Sequence, residues 1–125
     1  MSLILIVEDN EKNLKLVRDV LKVKGYETLE AGTAEDGIEI ATEHKPDLIL
    51  MDIQLPGMNG IEALKVLRSQ PATAAIPVIA VTASVMQQDR NQITEAGFDG
   101  YIGKPLNLKE FLEAVRSKLE QRAHE

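Results

Sequence analysis

Cysteine and tryptophan are absent from this chain, aromatics make up 3% of it, and 14 Lys and Arg face 20 Asp and Glu. Without cysteine the fold owes nothing to disulfides, and thiolate metal sites are excluded. The formal net charge of −6, with no basic stripe and no run of stacking aromatics, argues against nucleic acid and anionic membrane surfaces, which call for clustered Lys and Arg. No apolar run approaches the roughly 20 residues of a membrane span. The first one, Leu3 to Val7, is too short for a signal-peptide core and has no basic residue before it, so a soluble cytoplasmic protein is expected. Internal repeats, low-complexity segments and long linkers are missing too. A length of 125 residues suits one domain, 1–125, with nothing left over for an output domain.

What is present is organised around Leu48 to Gly60. The apolar run Leu48, Ile49, Leu50 and Met51 stops at Asp52 and is followed by a Pro56-Gly57 turn. A short uninterrupted apolar run bounded by turn residues reads as a strand buried on both faces, as in a parallel sheet covered by helices. Asp52 then sits at its carboxyl end, where ligands and chemistry gather in open α/β sheets.

The remaining chain follows the same logic. Leu3 to Val7 is a strand breaking into Glu8 and Asp9. Asn10 caps a helix with Leu14, Val17 and Leu21 on one face, widened by Leu16, Val20 and Val23, and Gly25 stops it. Tyr26 to Ala31 alternates loosely, as an edge strand does, and Thr33 with Asp36 forms a capping arrangement ahead of Ala34, Ile38 and Ala41. Lys45-Pro46 ends that helix. Asn59 caps a third helix carrying Ile61, Leu64 and Leu67, closed by Pro71. A fourth strand, from Ile76 or Val78 to Val81, ends at Thr82. The polar helix that follows has few apolar anchors beyond Val85, Ile93 and Ala96, and is expected to be the loosest. A short strand, Gly100 to Ile102, ends at Lys104-Pro105. Asn107 and Glu110 then start a last helix burying Leu108, Phe111, Leu112, Val115 and Leu119. Five strands alternating with five helices predict a three-layer α/β sandwich with a parallel sheet.

Four of those strands end in Glu8 and Asp9, Asp52, Thr82 and Lys104. Each residue alone has an ordinary explanation as a cap, a strand-end hydroxyl or a solvated charge; together they form a set that independent turns rarely choose. Carboxylates crowded in one crevice repel by about 4 kcal/mol per pair at 4 Å and an effective dielectric of 20, so positive charge belongs there. Lys104 supplies one, and a hard divalent cation with oxygen ligands, Mg²⁺ above all, suits the remainder. A carboxylate beside such a cation, a lysine and a hydroxyl is equipped to attack phosphorus.

The motifs Ile6-Val7-Glu8-Asp9-Asn10, Asp47 to Asp52 with Pro56-Gly57-Met58-Asn59-Gly60, Val81-Thr82-Ala83 and Tyr101-Ile102-Gly103-Lys104-Pro105 together resemble those of response-regulator receiver domains. The resemblance spans almost the whole chain, and the Glu8-Asp9-Asn10 opening with Asn13 is similar to stand-alone receivers of the DivK type and to receivers attached to hybrid kinases. It implies a flavodoxin-like (βα)5 fold with strand order 2-1-3-4-5. It also implies that Asp52 accepts a phosphoryl group from a histidine kinase or histidine phosphotransfer protein. Glu8, Asp9, Asp52 and the main-chain carbonyl of Gln54 then surround Mg²⁺, while Thr82 and Lys104 read the phosphoryl group. Tyr101 is the rotating aromatic of a switch, although an aromatic on a short edge strand also covers apolar surface. A downstream protein reads the surface of the fourth helix, fifth strand and fifth helix, and the Lys104-Pro105 bond is cis. Two departures stand out. Glu8 replaces a more usual aspartate, and its extra methylene favours contact through a metal-bound water or a changed reach, leaving Asp9 the surer direct ligand. Gly103 lacks a Cβ before Lys104 and is expected to loosen the grip of that lysine. His44 and His124 lie in polar segments without neighbouring ligand residues and read as surface residues.

Other readings of the same architecture fit less well. A haloacid-dehalogenase-type phosphatase wants a second Asp two residues after the nucleophile, where this chain has Gln54, and a cap domain over a small substrate. A flavodoxin-like FMN protein wants a Ser/Thr/Gly-rich phosphate loop after the first strand, where Glu8-Asp9 repels phosphate. An adaptor of the same fold that works without phosphorylation is the alternative function.

Overall fold

The computed structural model describes residues 2–82, 87–104 and 107–123. Ala83, Val85, Pro105 with its peptide bond to Lys104, and His124 lie outside the described residues. The elements are β1 (Leu3–Val7), α1 (Glu11–Val23), β2 (Glu27–Ala31), α2 (Ala34–His44), β3 (Leu48–Asp52), α3 (Gly60–Ser69), β4 (Val78–Thr82), α4 (Gln87–Ala96), β5 (Gly100–Gly103) and α5 (Leu108–Ala123). All pairings are parallel, in the order β2-β1-β3-β4-β5. The parallel sheet is the one that the alternation of strands and helices predicts, and its order is the flavodoxin-like one that the resemblance implies.

Strand periodicity divides the core into two layers. Ile4, Ile6, Leu48, Leu50 and Ile79 pack with Val17 and Leu21 of α1 and Phe111 and Val115 of α5. Leu5, Val7, Ile49, Met51, Val78 and Ala80 point the other way, onto Ala34 and Ala41 of α2, Leu64 and Leu67 of α3 and Ile93 of α4. The central strand β3 is therefore buried along its whole length.

The caps form where the side chains call for them. Asn10 accepts from the Lys12 and Asn13 amides, Thr33 from Asp36, and Asn107 from Glu110, while Asn59 and Glu62 make a reciprocal capping box. Gly25, at φ 89°, supplies the left-handed residue after α1. Tyr26 falls just outside β2, its amide bonded to the Leu21 carbonyl, and β5 extends one residue further than expected, to Gly103.

Three apolar positions expected on buried faces are exposed: Leu16 (42%), Val23 (84%) and Leu108 (41%). At 100° per residue Leu16 and Val23 lie more than about 120° from the centre of the Leu14, Val17 and Leu21 stripe, off the middle of the face that α1 buries. Leu108 is the first residue of α5.

Arg68, near the end of α3, ties the far edge of this layer together. Its guanidinium donates to the Ala74 (3.1 Å) and Ile76 (2.6 Å) carbonyls and to Asp99 (2.9 Å), whose Oδ2 also accepts from the Val78 amide at 2.8 Å. One side chain thus fixes the entry to β4 and the turn before β5, the two strands that deliver Thr82 and Lys104.

Candidate functional site

The carboxyl ends of β1, β3, β4 and β5 meet around Asp52. Beyond Val7 the Glu8 amide still bonds to the Ala31 carbonyl (3.0 Å), so Glu8 continues the ladder, and the residue is 6% exposed. Asp9 is exposed, held between that ladder and the Asn10 cap. Asp52, 3% exposed, closes β3, with its Oδ1 accepting from the Gln54 amide at 3.1 Å. Thr82 is also 3% exposed and pairs with Gly103 across β4 and β5, and the Lys104 amide donates to the Thr82 carbonyl at 2.8 Å.

That last bond corrects the expectation for Gly103. It is a ladder residue of β5, so the backbone entering Lys104 is held by sheet hydrogen bonds and the missing Cβ loosens nothing there. The ammonium is gripped as well: Lys104 Nζ lies 3.0 Å from Glu8 Oε1 and 3.1 Å from Asp52 Oδ2. Tyr101, in contrast, is 39% exposed on β5, opposite Ala80. His44 is exposed on α2.

Gly60, the last residue of the Pro56 to Gly60 motif, has a structural part that the motif itself does not state. A Cβ on Gly60 would stand 2.5 Å from the Asp52 carbonyl oxygen and 2.9 Å from the Ile53 Cα. The Gly60 amide donates to the Ile53 carbonyl at 3.0 Å, drawing the start of α3 against the end of β3. Only glycine permits that approach. The Asn59-Gly60 pair at a helix start was its one signal in the sequence.

The electrostatics follow from burial. Glu8 is pushed up to about 7 by burial and by the neighbouring Asp52 carboxylate, against the pull of Lys104. For Lys104 burial acts downward, but hydrogen bonds to Glu8 and Asp52 outweigh it and its pKa rises. Glu8, Asp9 and Asp52 each offer a carboxylate oxygen within 4.8 Å of the others. Glu8 Oε2 is buried without a hydrogen-bond partner among the described residues. An orphaned carboxylate oxygen in a cluster of acids is what a hard cation with oxygen ligands would satisfy, so these residues fit the Mg²⁺ that the motifs imply.

The chain matches the family model described as "Response regulator receiver domain" over residues 4–116. It belongs to the response regulator receiver family. The receiver is 46% identical over 116 residues to the polar-differentiation response regulator DivK of Brucella anthropi, spanning 93% of this chain and 94% of DivK, and equally so to DivK of Brucella melitensis. Among solved structures, the receiver domain of the sensor histidine kinase PA1611 from Pseudomonas aeruginosa, with a magnesium ion coordinated in its active-site cleft, superposes with a TM-score of 0.89. That pair shares 30% identity over 95% of this chain and 98% of the other. A CheY-like receiver domain protein from Methanospirillum hungatei gives 0.89 at 33% identity, covering 99% and 98%. Receiver domains are signalling domains that work with histidine kinases or phosphotransfer proteins and downstream partners. Among the described residues no helix of this receiver is long and apolar enough to cross a membrane.

Proposed function

We propose that Asp52 accepts a phosphoryl group from a histidine kinase or histidine phosphotransfer protein, and that the receiver thereby switches its protein contacts in a phosphorelay. The observation that carries this reading is the Asp52 carboxylate itself: 3% exposed at the end of the central strand, with Lys104 Nζ at 3.1 Å and the Glu8 and Asp9 carboxylates beside it. In the transfer one Asp52 oxygen attacks phosphorus, forming an acyl phosphate O–P bond as the P–N bond to the donor histidine breaks. The bonding pair stays on the imidazole nitrogen. The Gln54 amide on Oδ1 orients the carboxylate. Lys104 is placed to follow its charge onto the phosphoryl oxygens, and the Thr82 hydroxyl, on the neighbouring strand end, to donate to one of them.

Charge balance supports a divalent ion. Glu8, Asp9 and Asp52 against Lys104 leave a formal −2, which Mg²⁺ matches, with Glu8, Asp9, Asp52 and the Gln54 carbonyl as its protein ligands. When bound it supplies charge neutralisation for the phosphoryl oxygens. The deep burial of Glu8 supports the part in the cluster that the resemblance implies for it. The receiver's own residues catalyse only its phosphorylation and dephosphorylation, with Thr82 and Tyr101 relaying the state to the α4, β5 and α5 surface for a downstream partner.

Intact mass spectrometry after incubation with acetyl phosphate, with and without Mg²⁺, tests the reading. Gain of one phosphoryl mass only with the cation is expected. No gain under either condition favours the phosphorylation-independent adaptor.

A further inference from the structure

Of the asparagines in this chain, Asn59 alone is followed by glycine; Asn10, Asn13, Asn91 and Asn107 precede Glu11, Leu14, Gln92 and Leu108. The side-chain amide of an asparagine is electrophilic at Cγ, and the main-chain nitrogen of the next residue can close a five-membered ring on it. A following side chain hinders that approach, and glycine has none. As the bond from the Gly60 nitrogen to Cγ forms, the Cγ–Nδ2 bond breaks, and Nδ2 leaves as ammonia with the Gly60 amide proton. Water then opens the succinimide at one of its two carbonyls, giving aspartate or isoaspartate.

The fold holds the two reacting atoms apart. Ring closure needs the Gly60 nitrogen eclipsed with the Asn59 Cβ, which tetrahedral geometry at Cα puts at a ψ of about −120°. Asn59 is held at ψ 173°, so its peptide to Gly60 has to swing by roughly 65°. Four hydrogen bonds oppose that swing. The Gly60 amide, whose nitrogen is the nucleophile, donates to the Ile53 carbonyl at 3.0 Å, and the Asn59 carbonyl of the same peptide accepts from the Ala63 amide at 3.0 Å. Asn59 Oδ1 accepts from the Glu62 amide at 2.9 Å, and the Asn59 amide donates to Glu62 Oε1 at 3.4 Å. Gly60 is buried as well, its backbone pressed against Asp52 and Ile53.

We propose that Asn59 is a deamidation site of this receiver, shut while α3 is docked on β3 and reactive only when the turn between them comes apart. The two products differ in what they leave behind. Aspartate caps a helix as well as asparagine does, so the turn closes again. Isoaspartate lengthens the main chain by one atom ahead of Gly60, where the contact with the Asp52 and Ile53 backbone leaves no slack. Opening of this turn is thereby recorded as a covalent change beside Asp52. The assignment does not depend on Asp52 accepting a phosphoryl group.

The test is peptide-mapping mass spectrometry of the parent after ageing in mildly alkaline buffer, folded or in guanidinium chloride, with aspartate and isoaspartate peptides separated by chromatography. In denaturant, Asn59 is expected to lose its amide roughly tenfold faster than Asn13. In the folded protein the reaction at Asn59 should be at least about 100-fold slower than in denaturant, because it follows the open fraction. Glu62→Ala, which removes the acceptor of the Asn59 amide, should speed the folded-state reaction. Asn59→Asp should melt close to the parent, and refolded isoaspartyl protein clearly lower. Folded and denatured rates within a factor of about three of each other would overturn the proposal, as would Asn59 reacting no faster than Asn13 in denaturant. A folded-state rate unchanged in Glu62→Ala, or an isoaspartyl form that melts with the parent, would overturn it too. Should Glu62→Ala fail to fold, the two rates of the parent decide.

Discussion

Lys104 Nζ sits 3.0 Å from Glu8 Oε1, 96 positions away in the chain, in a pair whose acid is nearly buried while its base is 21% exposed. Burial first, and then the neighbouring Asp52 carboxylate, raise the folded-state pKa of Glu8 from 4.5 to about 7 although Lys104 pulls it down. Between those values the folded chain holds more proton than the unfolded chain, so through this group stability rises as pH falls from 7 toward 4.5 and the contribution is gone above 7. The raised pKa of Lys104 acts in a different window: its contribution is complete below 10.5 and is lost only as pH rises through the higher folded value. In metal-free protein, the melting temperature of Glu8→Gln minus that of the parent should therefore be largest near pH 8 and shrink toward pH 5. A difference independent of pH contradicts the burial account of Glu8.

Gly60 supports Asp52 from behind, and its tolerance is predictable. A Cβ there meets backbone, the Asp52 carbonyl oxygen at 2.5 Å, whereas one on Gly32 meets nothing within 4 Å. Gly60→Ala should cost roughly 1–3 kcal/mol in denaturant unfolding and slow phosphoryl uptake, while Gly32→Ala stays close to the parent in both. Equal behaviour of the two variants would remove Gly60 from the account.

Much of this arrangement was legible in the sequence because each strand carries its own punctuation. The buried run Leu48 to Met51, the caps at Asn10, Thr33, Asn59 and Asn107, and the strand-end residues Glu8, Asp52, Thr82 and Lys104 are all local signals. The misreadings have non-local causes. Leu16 and Val23 are apolar but rotated off the α1 stripe, and hydrophobicity alone does not say how wide a face the sheet covers. The looseness expected at Gly103 disappears because the Thr82 carbonyl, on another strand, holds the Lys104 amide. The tight approach of Gly60 to Asp52 depends on how α3 returns across β3, which no spacing encodes.

The Arg68 and Asp99 pair offers a test of how β4 and β5 are set. Arg68→Ala leaves the Ala74 and Ile76 carbonyls without their guanidinium donor, and Asp99→Asn keeps an acceptor for the Val78 amide while removing the charge. Since Arg68 and Asp99 are 28% and 38% exposed, each loss should fall near the low end of about 1–3 kcal/mol. A double-mutant cycle by urea unfolding should give a coupling of at least about 0.5 kcal/mol. Strict additivity would show that the two residues act separately.

Thr82 offers a test of whether chemistry and response are separable. On the proposed reading its hydroxyl donates to the phosphoryl group, while Asp52 accepts from the Gln54 amide and from Lys104. Thr82→Ala should thus still be phosphorylated, while the amide shift changes across 91–104 and 107–113 that phosphorylation causes in the parent are much reduced. One or two charge-assisted hydrogen bonds fall short of the roughly 5.5 kcal/mol needed for a complete two-state swing, so even the parent should shift only in part without a partner. Identical shifts in parent and variant would refute this route.

The central claim is that Asp52 is the phosphoacceptor, and intact mass spectrometry of the parent and Asp52→Asn, side by side with acetyl phosphate and Mg²⁺, tests it most directly. The parent should gain one phosphoryl mass and Asp52→Asn, folded by circular dichroism, none. A stoichiometric phosphoryl mass on Asp52→Asn would contradict the assignment.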